Sequence, residues 1–194
     1  MTNINYSRVL EDIIFPSFIR SCVPDMNLEA LEKETYLMRE NEKSLNVSNN
    51  GGYHSPPQME ETEYENLNLL YRFTNAFARQ TVDNKNLGVN LTSSHWWVNI
   101  NQSHDFNTLH NHRRSDLIGL YYIKVPSDSG KLVLMRNDGS QYCNLYKNSK
   151  IDLEMDITVE VGRLYIISGH LWHYVTSNMS NQDRISVAFN LYFE

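Results

Sequence analysis

The spacing of apolar residues changes near residue 89. Upstream they recur at helical intervals; downstream they alternate or cluster in short blocks. Leu28, Leu31, Thr35 and Met38 fall at i, i+3, i+7 and i+10, with Glu29, Glu32, Lys33, Glu34 and Arg39 between them. That pattern predicts a helix packed on one face and solvated on the other, capped by Asp25 or Asn27. A second helix is expected from about Glu60 to Gln80, with Leu67, Leu70, Tyr71, Thr74 and Phe77 as its apolar stripe. Glutamates crowd its first turns, where the helix dipole favours them. Residues 5–22, interrupted by Pro16, read as a short strand or turn. Residues 43–57 read as loop: Asn49-Asn50-Gly51-Gly52 tolerates positive φ, and Pro56-Pro57 ends regular pairing.

Beyond residue 89 the short runs are 95–101, 107–112, 117–124, 131–136, 141–146, 157–160, 163–167, 173–176 and 184–192, separated by Gly, Asn, Asp, Ser or Pro. Short strands at near-regular spacing predict a sandwich or barrel. The expected class is mainly β with flanking helices (α+β). Residues 1–194 are read as a single domain, in which a helical and loop part (1–88) packs on a β core (89–194).

Composition narrows the function. A chain of 194 residues with 41% hydrophobic content and a mean hydropathy of -0.50 can bury a real core in water. The formal charge of -6 argues against a nucleic-acid footprint. Two cysteines, Cys22 and Cys143, are too few for a disulfide framework and form no CxxC. No apolar run reaches membrane-spanning length, and the first residues lack a basic region followed by an apolar one, so a cytoplasmic protein with no membrane partner is expected.

The candidate chemistry starts at His110-Asn111-His112. In an extended strand two side chains one residue apart point to the same face and can share one metal ion. On a helix the same pair would be splayed by about 200°. The flanking Trp96-Trp97-Val98 and Leu117-Ile118-Gly119-Leu120 runs are strand-like, so His110 and His112 are read as two ligands awaiting a third. His173, on a late strand after Gly169, supplies it: two early-strand ligands plus one late-strand ligand is how a jelly-roll barrel builds a facial metal site with open positions. The last strand begins at Arg184 and puts Arg184, Ser186, Ala188 and Asn190 on one face, Ile185, Val187, Phe189 and Leu191 on the other. A small, polar face headed by arginine suits an interior that holds a carboxylate. The remaining histidines, His54, His95, His104 and His170, are read as structural or surface residues.

Several motifs in order resemble the iron(II)- and 2-oxoglutarate-dependent oxygenases, in particular a branch common in marine bacteria and their viruses. They are Val47-Ser-Asn-Asn-Gly-Gly-Tyr53-His-Ser55, Trp97-Val-Asn99, Phe106-Asn-x-x-His110-x-His112, Leu117-Ile-Gly119-Leu-Tyr121-Tyr122-Ile-Lys124, Gly130-Lys-Leu, Gly162-Arg-Leu, His173 and Arg184-Ile-Ser186-Val-Ala-Phe-Asn190. The resemblance implies a double-stranded β-helix (jelly-roll, cupin-like) core and Fe(II), 2-oxoglutarate and O2 as cofactor and cosubstrates. It implies His110 and His173 as iron ligands, Arg184 as the salt-bridge partner of the distal carboxylate of 2-oxoglutarate, and Tyr122 as a second group on that carboxylate. Asn99 lies where a polar residue reaches the metal-proximal end of the cosubstrate. Most of the superfamily has an aspartate or glutamate where this chain has His112; Asp116 is the nearby carboxylate that competes with His112 for the third ligand position.

The implied reaction is oxidation of a C–H bond with release of succinate and carbon dioxide. Two other readings fit the same residues: a three-histidine cupin-type dioxygenase that uses no 2-oxoglutarate, and a non-catalytic jelly-roll binding module. A small metabolite, a prolyl peptide and a nucleobase all remain open as substrate. Trp96, Trp97, Tyr121 and Trp172 are candidates to line its entrance, although strand aromatics more often pack in a core. Loops 43–57 and 136–156 are the expected substrate-facing segments.

Overall fold

A computed structural model describes residues 17–194 apart from 86, 113 and 137–153. The expected strand over 141–146, Cys143 and most of the 5–22 segment lie outside the described residues. In chain order the elements are β1 (Ile19–Cys22), α1 (Leu28–Asn41), β2 (Asn49–Asn50), β3 (Tyr53–His54), α2 (Glu65–Asp83), β4 (Leu91–Asn101), β5 (Phe106–His110), β6 (Leu117–Lys124), β7 (Leu132–Met135), β8 (Glu154–Ile157), β9 (Leu164–Ser168), β10 (Trp172–Val175) and β11 (Arg184–Phe193).

Among the described residues the strands form two antiparallel sheets. One has six strands in the order β1-β9-β6-β11-β4-β3, the other five in the order β2-β5-β10-β7-β8. Strand alternation then sorts residues into two cores. Ile185, Val187, Phe189 and Leu191 of β11, with Trp96, Val98 and Ile100 of β4, face the helices and meet Leu31, Met38, Leu67 and Leu70 there. Trp97, Ile118, Leu120, Tyr122 and Ala188 face the second sheet and meet Leu132, Leu134 and Val175. This is the jelly roll that the family resemblance implied, with helices covering the larger sheet.

Both helices carry the expected stripes, with differences at their ends. Asn27, rather than Asp25, caps α1: its side chain accepts from Ala30 N–H at 3.1 Å. Helix α2 begins at Glu65, not near Glu60, because Asn68 folds the preceding residues back. Its side chain accepts from Thr62 N–H at 2.9 Å and donates to Thr62 O at 2.7 Å. The orphan N–H groups of Asn66 and Leu67 donate to the Glu34 carboxylate of α1 at 3.0 and 2.9 Å. A cap supplied by another helix leaves no local trace in the sequence.

The strand edges differ in three further places. The stretch 43–57 holds β2 and β3, so the N-terminal part contributes strands to both sheets as well as covering helices. The run expected at 157–160 is a strand at Glu154–Ile157, in register with β7 through Leu132↔Ile157 and Met135↔Glu154. Strand β5 ends at His110, one pair short of the expected 107–112. The backbone N–H of His112 donates instead to Gly169 O at 3.1 Å, in the turn between β9 and β10.

That turn positions the segment carrying His112. Gly169 N–H also donates to Asp116 O at 2.9 Å, and the two backbones run so close that a Cβ on Gly169 would overlap the Ser115 carbonyl. Gly169→Ala is therefore expected to cost about 1–3 kcal/mol, lowering Tm by roughly 2–4 °C per kcal/mol in a chain of this size. Thermal unfolding of the metal-free protein checks this; an unchanged Tm would refute the close approach.

Candidate metal centre

Pairing of β5 with β10 sets His110 and His173 directly opposite each other. A register shift follows between His173 and Val175, whose partner is Asn107, so β5 carries an extra residue beside His110. Bulges of this kind re-aim side chains next to functional sites. The His110 and His173 ring centroids lie 4.3 Å apart, and His112 stands 5.2 Å from each. One ring nitrogen from each of the three falls within 4.8 Å of the other two. Among the described residues this is the one such cluster of His, Cys, Asp or Glu able to hold a metal ion.

Hydrogen bonds decide which nitrogen each ring offers. His110 Nδ1–H donates to Thr108 O at 2.7 Å, and His173 Nδ1–H donates to Leu171 O at 2.9 Å. A carbonyl oxygen can only accept, so Nδ1 carries the proton and Nε2 keeps its lone pair. His112 Nδ1–H donates to the Asn190 side-chain oxygen, leaving its Nε2 free in the same way. Burial disfavours the imidazolium at all three. It lowers His110, brings His112 down to about 4 and His173 down to about 3, with the neighbouring histidines adding to the last two. Three neutral imidazoles with converging lone pairs suit a borderline divalent cation such as iron(II), cobalt(II) or zinc(II).

Asp116 is not among them. Its carboxylate accepts from Phe193 N–H at 2.8 Å, at the far end of β11, and the residue is exposed.

A narrow cavity runs inward from the histidines between the sheets. His110, His112, His173, Arg184, Tyr122 and Asn99 all line it, together with Ser186, Ala188 and apolar Leu120, Leu132 and Val175. Arg184 is 3% exposed, and its contacts are neutral: Asn101 Oδ1 accepts at 3.1 Å and Ser129 O at 3.4 Å. Its Nε has no partner, and neither has Asn99 Oδ1. Burial pushes Arg184 below its ordinary value while Tyr122 acts the other way, yet a guanidinium stays charged in a protein. Among the described residues no carboxylate lines the cavity. A buried cation without a counter-ion is costly, and the described residues around Arg184 supply none. Tyr122 is pushed up to about 12, chiefly by burial, and therefore stays a hydroxyl able to donate.

Outward from the histidines the cavity opens into a cleft of about 730 Å³. Its wall is a stack of rings: Trp97 lies between His54 (5.5 Å, 15°) and His112 (5.7 Å, 18°). Of the aromatics considered for the entrance, Trp97 and Trp172 line this cleft, while Trp96 and Tyr121 are fully buried in the core under the helices. Leu45, Val47 and Ser48 of the 43–57 stretch line it too.

Sequence reasoning missed the residues that support the site. Asn101 shares a face with Asn99 and sits opposite Arg184 in the β4–β11 ladder, a relation that needs the register. His54 and His95, read as structural or surface residues, face the cleft. Asn190 falls on the same face of β11 as Arg184, a visible alternation whose consequence depends on His112 lying across from it.

Fold and site together define a double-stranded β-helix protein with a three-histidine cluster able to hold a metal and a buried guanidinium behind it. Residues 95–190 match the model of a family described as "Putative 2OG-Fe(II) oxygenase". No curated protein sequence matches the chain. Among solved structures, a prolyl-4-hydroxylase from Pseudomonas putida superposes with a TM-score of 0.65 at 15% identity, over 90% of this chain and 91% of that one. A Trichoplax adhaerens prolyl hydroxylase, in complex with a peptide fragment of a hypoxia-inducible factor, gives 0.63 at 13%, over 90% and 83%. HygX from Streptomyces hygroscopicus, with nickel and 2-oxoglutarate bound, gives 0.55 at 12%, over 89% and 82%. At such identities these likenesses show the shared fold. The chain belongs to the 2-oxoglutarate- and iron(II)-dependent oxygenases.

The histidine environment sets a pH dependence. The folded-state values of His112 and His173 lie below the unfolded value near 6.5, so below that pH the unfolded chain binds more protons. Stability of the metal-free protein is then full above about pH 7 and lost as pH falls towards 4. Each such imidazole removes about 1.4 kcal/mol per pH unit. Between pH 7.5 and 5.5 the Tm should fall by on the order of 5 °C or more; a Tm that is flat or rises on acidification would contradict neutral burial. In the described residues no helix is long and apolar enough to cross a membrane.

Proposed function

We propose that this oxygenase is a hydroxylase that oxidises a C–H bond while converting 2-oxoglutarate to succinate and carbon dioxide. The observation that carries the reading is the single cavity lined both by the three histidines and by a buried guanidinium that has no carboxylate partner among the described residues. His110, His112 and His173 would hold Fe(II) through Nε2. Bound there, iron supplies the redox chemistry that couples dioxygen to decarboxylation of the cosubstrate and oxidation of the substrate.

The chain's own residues bind, orient and exclude. Arg184 takes the distal carboxylate of 2-oxoglutarate; the unpartnered Nε gives the guanidinium a free donor for it. The Tyr122 hydroxyl donates to the same carboxylate. Asn99 lines the same cavity and offers its amide N–H to the metal-proximal end, whose oxygens can only accept. Leu120, Leu132 and Val175 form apolar walls that keep water from the buried cosubstrate. With His112 in place of a carboxylate, the protein ligands contribute no negative charge. The dianionic cosubstrate then neutralises the metal, so metal and cosubstrate binding should reinforce each other.

The cleft lined by Trp97, Trp172, His54 and Leu109 would receive the substrate. Its size suits a small molecule or the side chain and flanking backbone of a peptide. The rival three-histidine chemistry without 2-oxoglutarate uses the same ligands, and Arg184 separates the two.

Anaerobic Fe(II) with 2-oxoglutarate should give a weak visible charge-transfer band, and air should then release succinate. Arg184→Ala should raise the 2-oxoglutarate requirement at least 30-fold, about 2 kcal/mol, with Arg184→Lys in between. Absence of both the band and succinate rejects the reading. An Arg184→Ala protein with unchanged 2-oxoglutarate dependence would favour the rival.

A further inference from the structure

A carboxylate ligand presents a lone pair whenever it is ionised. An imidazole presents one at Nε2 only when the proton sits on Nδ1. Two of the three histidines have that choice made for them by backbone carbonyls, Thr108 O for His110 and Leu171 O for His173. His112 does not. Its Nδ1 faces the side-chain amide of Asn190, and an amide can turn over to present either an acceptor or a donor.

What holds that amide is on its other side. Asn190 Nδ2 lies 3.0 Å from His95 Nε2. His95 pairs with Asn190 across the β4–β11 ladder, and its ring packs against Trp97 (5.8 Å) and Tyr192 (5.7 Å). When His95 carries its own ring proton on Nδ1, its Nε2 can only accept, so Asn190 Nδ2 donates to it, Oδ1 faces His112, and His112 carries its proton on Nδ1. Turned over, Nδ2 would face His112 Nδ1 and force the proton onto Nε2, where it would block the metal. We propose that Asn190, oriented by His95, is the positioning residue that selects the metal-binding tautomer of His112.

The relay explains why an asparagine sits at the mouth end of the interior face of β11. It also gives His95 a role although it stands outside the three-nitrogen cluster. The inference rests on His112 being a metal ligand, as in the proposed function, but its first readout needs neither metal nor turnover.

In the metal-free protein, nitrogen-15 NMR of the histidine rings at a pH where they are neutral should show His112 with its proton on Nδ1. Asn190→Leu, similar in size but unable to bond, should move the proton wholly or partly to Nε2. The same variant should lose roughly 10–100-fold in Co(II) or Fe(II) affinity, the range found for partners that orient metal ligands. Asn190→Asp, whose carboxylate only accepts, should keep the Nδ1–H form and bind metal at least as tightly as the original. His95→Leu leaves Asn190 in place but frees its amide; it should give a mixed tautomer and a smaller affinity loss, and it carries the test if Asn190→Leu does not fold. A purely structural Asn190 predicts lowered Tm with tautomer and affinity unmoved. That result, or Asn190→Asp losing as much metal affinity as Asn190→Leu, overturns the proposal. If the original protein binds neither metal, the proposed function fails, while the NMR comparison still decides what Asn190 does.

Discussion

Strand β11 is the constraint on which the rest of the molecule depends. It lies between β4 and β6 in the larger sheet, so its residues cannot slip without breaking two ladders at once. Its two faces do different work. Ile185, Val187, Phe189 and Leu191 lock the helices onto the sheet. Arg184, Ser186 and Ala188 line the inner cavity, and Asn190 reaches the outer cleft at its mouth. A one-residue shift would turn the guanidinium towards the helices and a phenylalanine towards the second sheet. The hydrophobic packing on one face therefore enforces the polar geometry on the other.

The cavity is consistent in its electrostatics. Every imidazole facing it is driven towards the neutral form by burial, and the deepest charge is a cation with only neutral hydrogen-bond partners. Neutral imidazole nitrogens at one end and a guanidinium with no carboxylate partner among the described residues at the other leave a positive charge inside a buried space. The chain carries a formal charge of -6, yet among the described residues no acidic one lines this cavity or the cleft outside it. The acids lie elsewhere, and one of them, Glu34, serves the fold by capping α2.

Residues that sequence reasoning treated as background turn out to shape the site. His54 stacks on Trp97, which stacks on His112; His95 and Asn190 bridge to the same histidine. The third imidazole is held by side chains where its two companions are held by backbone. His110 and His173 each bond the carbonyl two residues upstream in their own segment, whereas His112, beyond the end of β5, turns its Nδ1 across to β11.

By itself the sequence determined the elements and the facing of their residues, because those follow from periods of two and 3.6 that local sterics impose. The helical stripes, most of the strands, the shared face of His110 and His112, and the polar face headed by Arg184 were all legible in this way. Tertiary structure alone decided what depends on the pairing of distant segments. It set His173 opposite His110, turned Asp116 away to Phe193, began α2 at Glu65 under a cap from α1, and put Asn190 between His95 and His112. Register and strand order are set by the whole buried interior, and no local spacing in the chain encodes them.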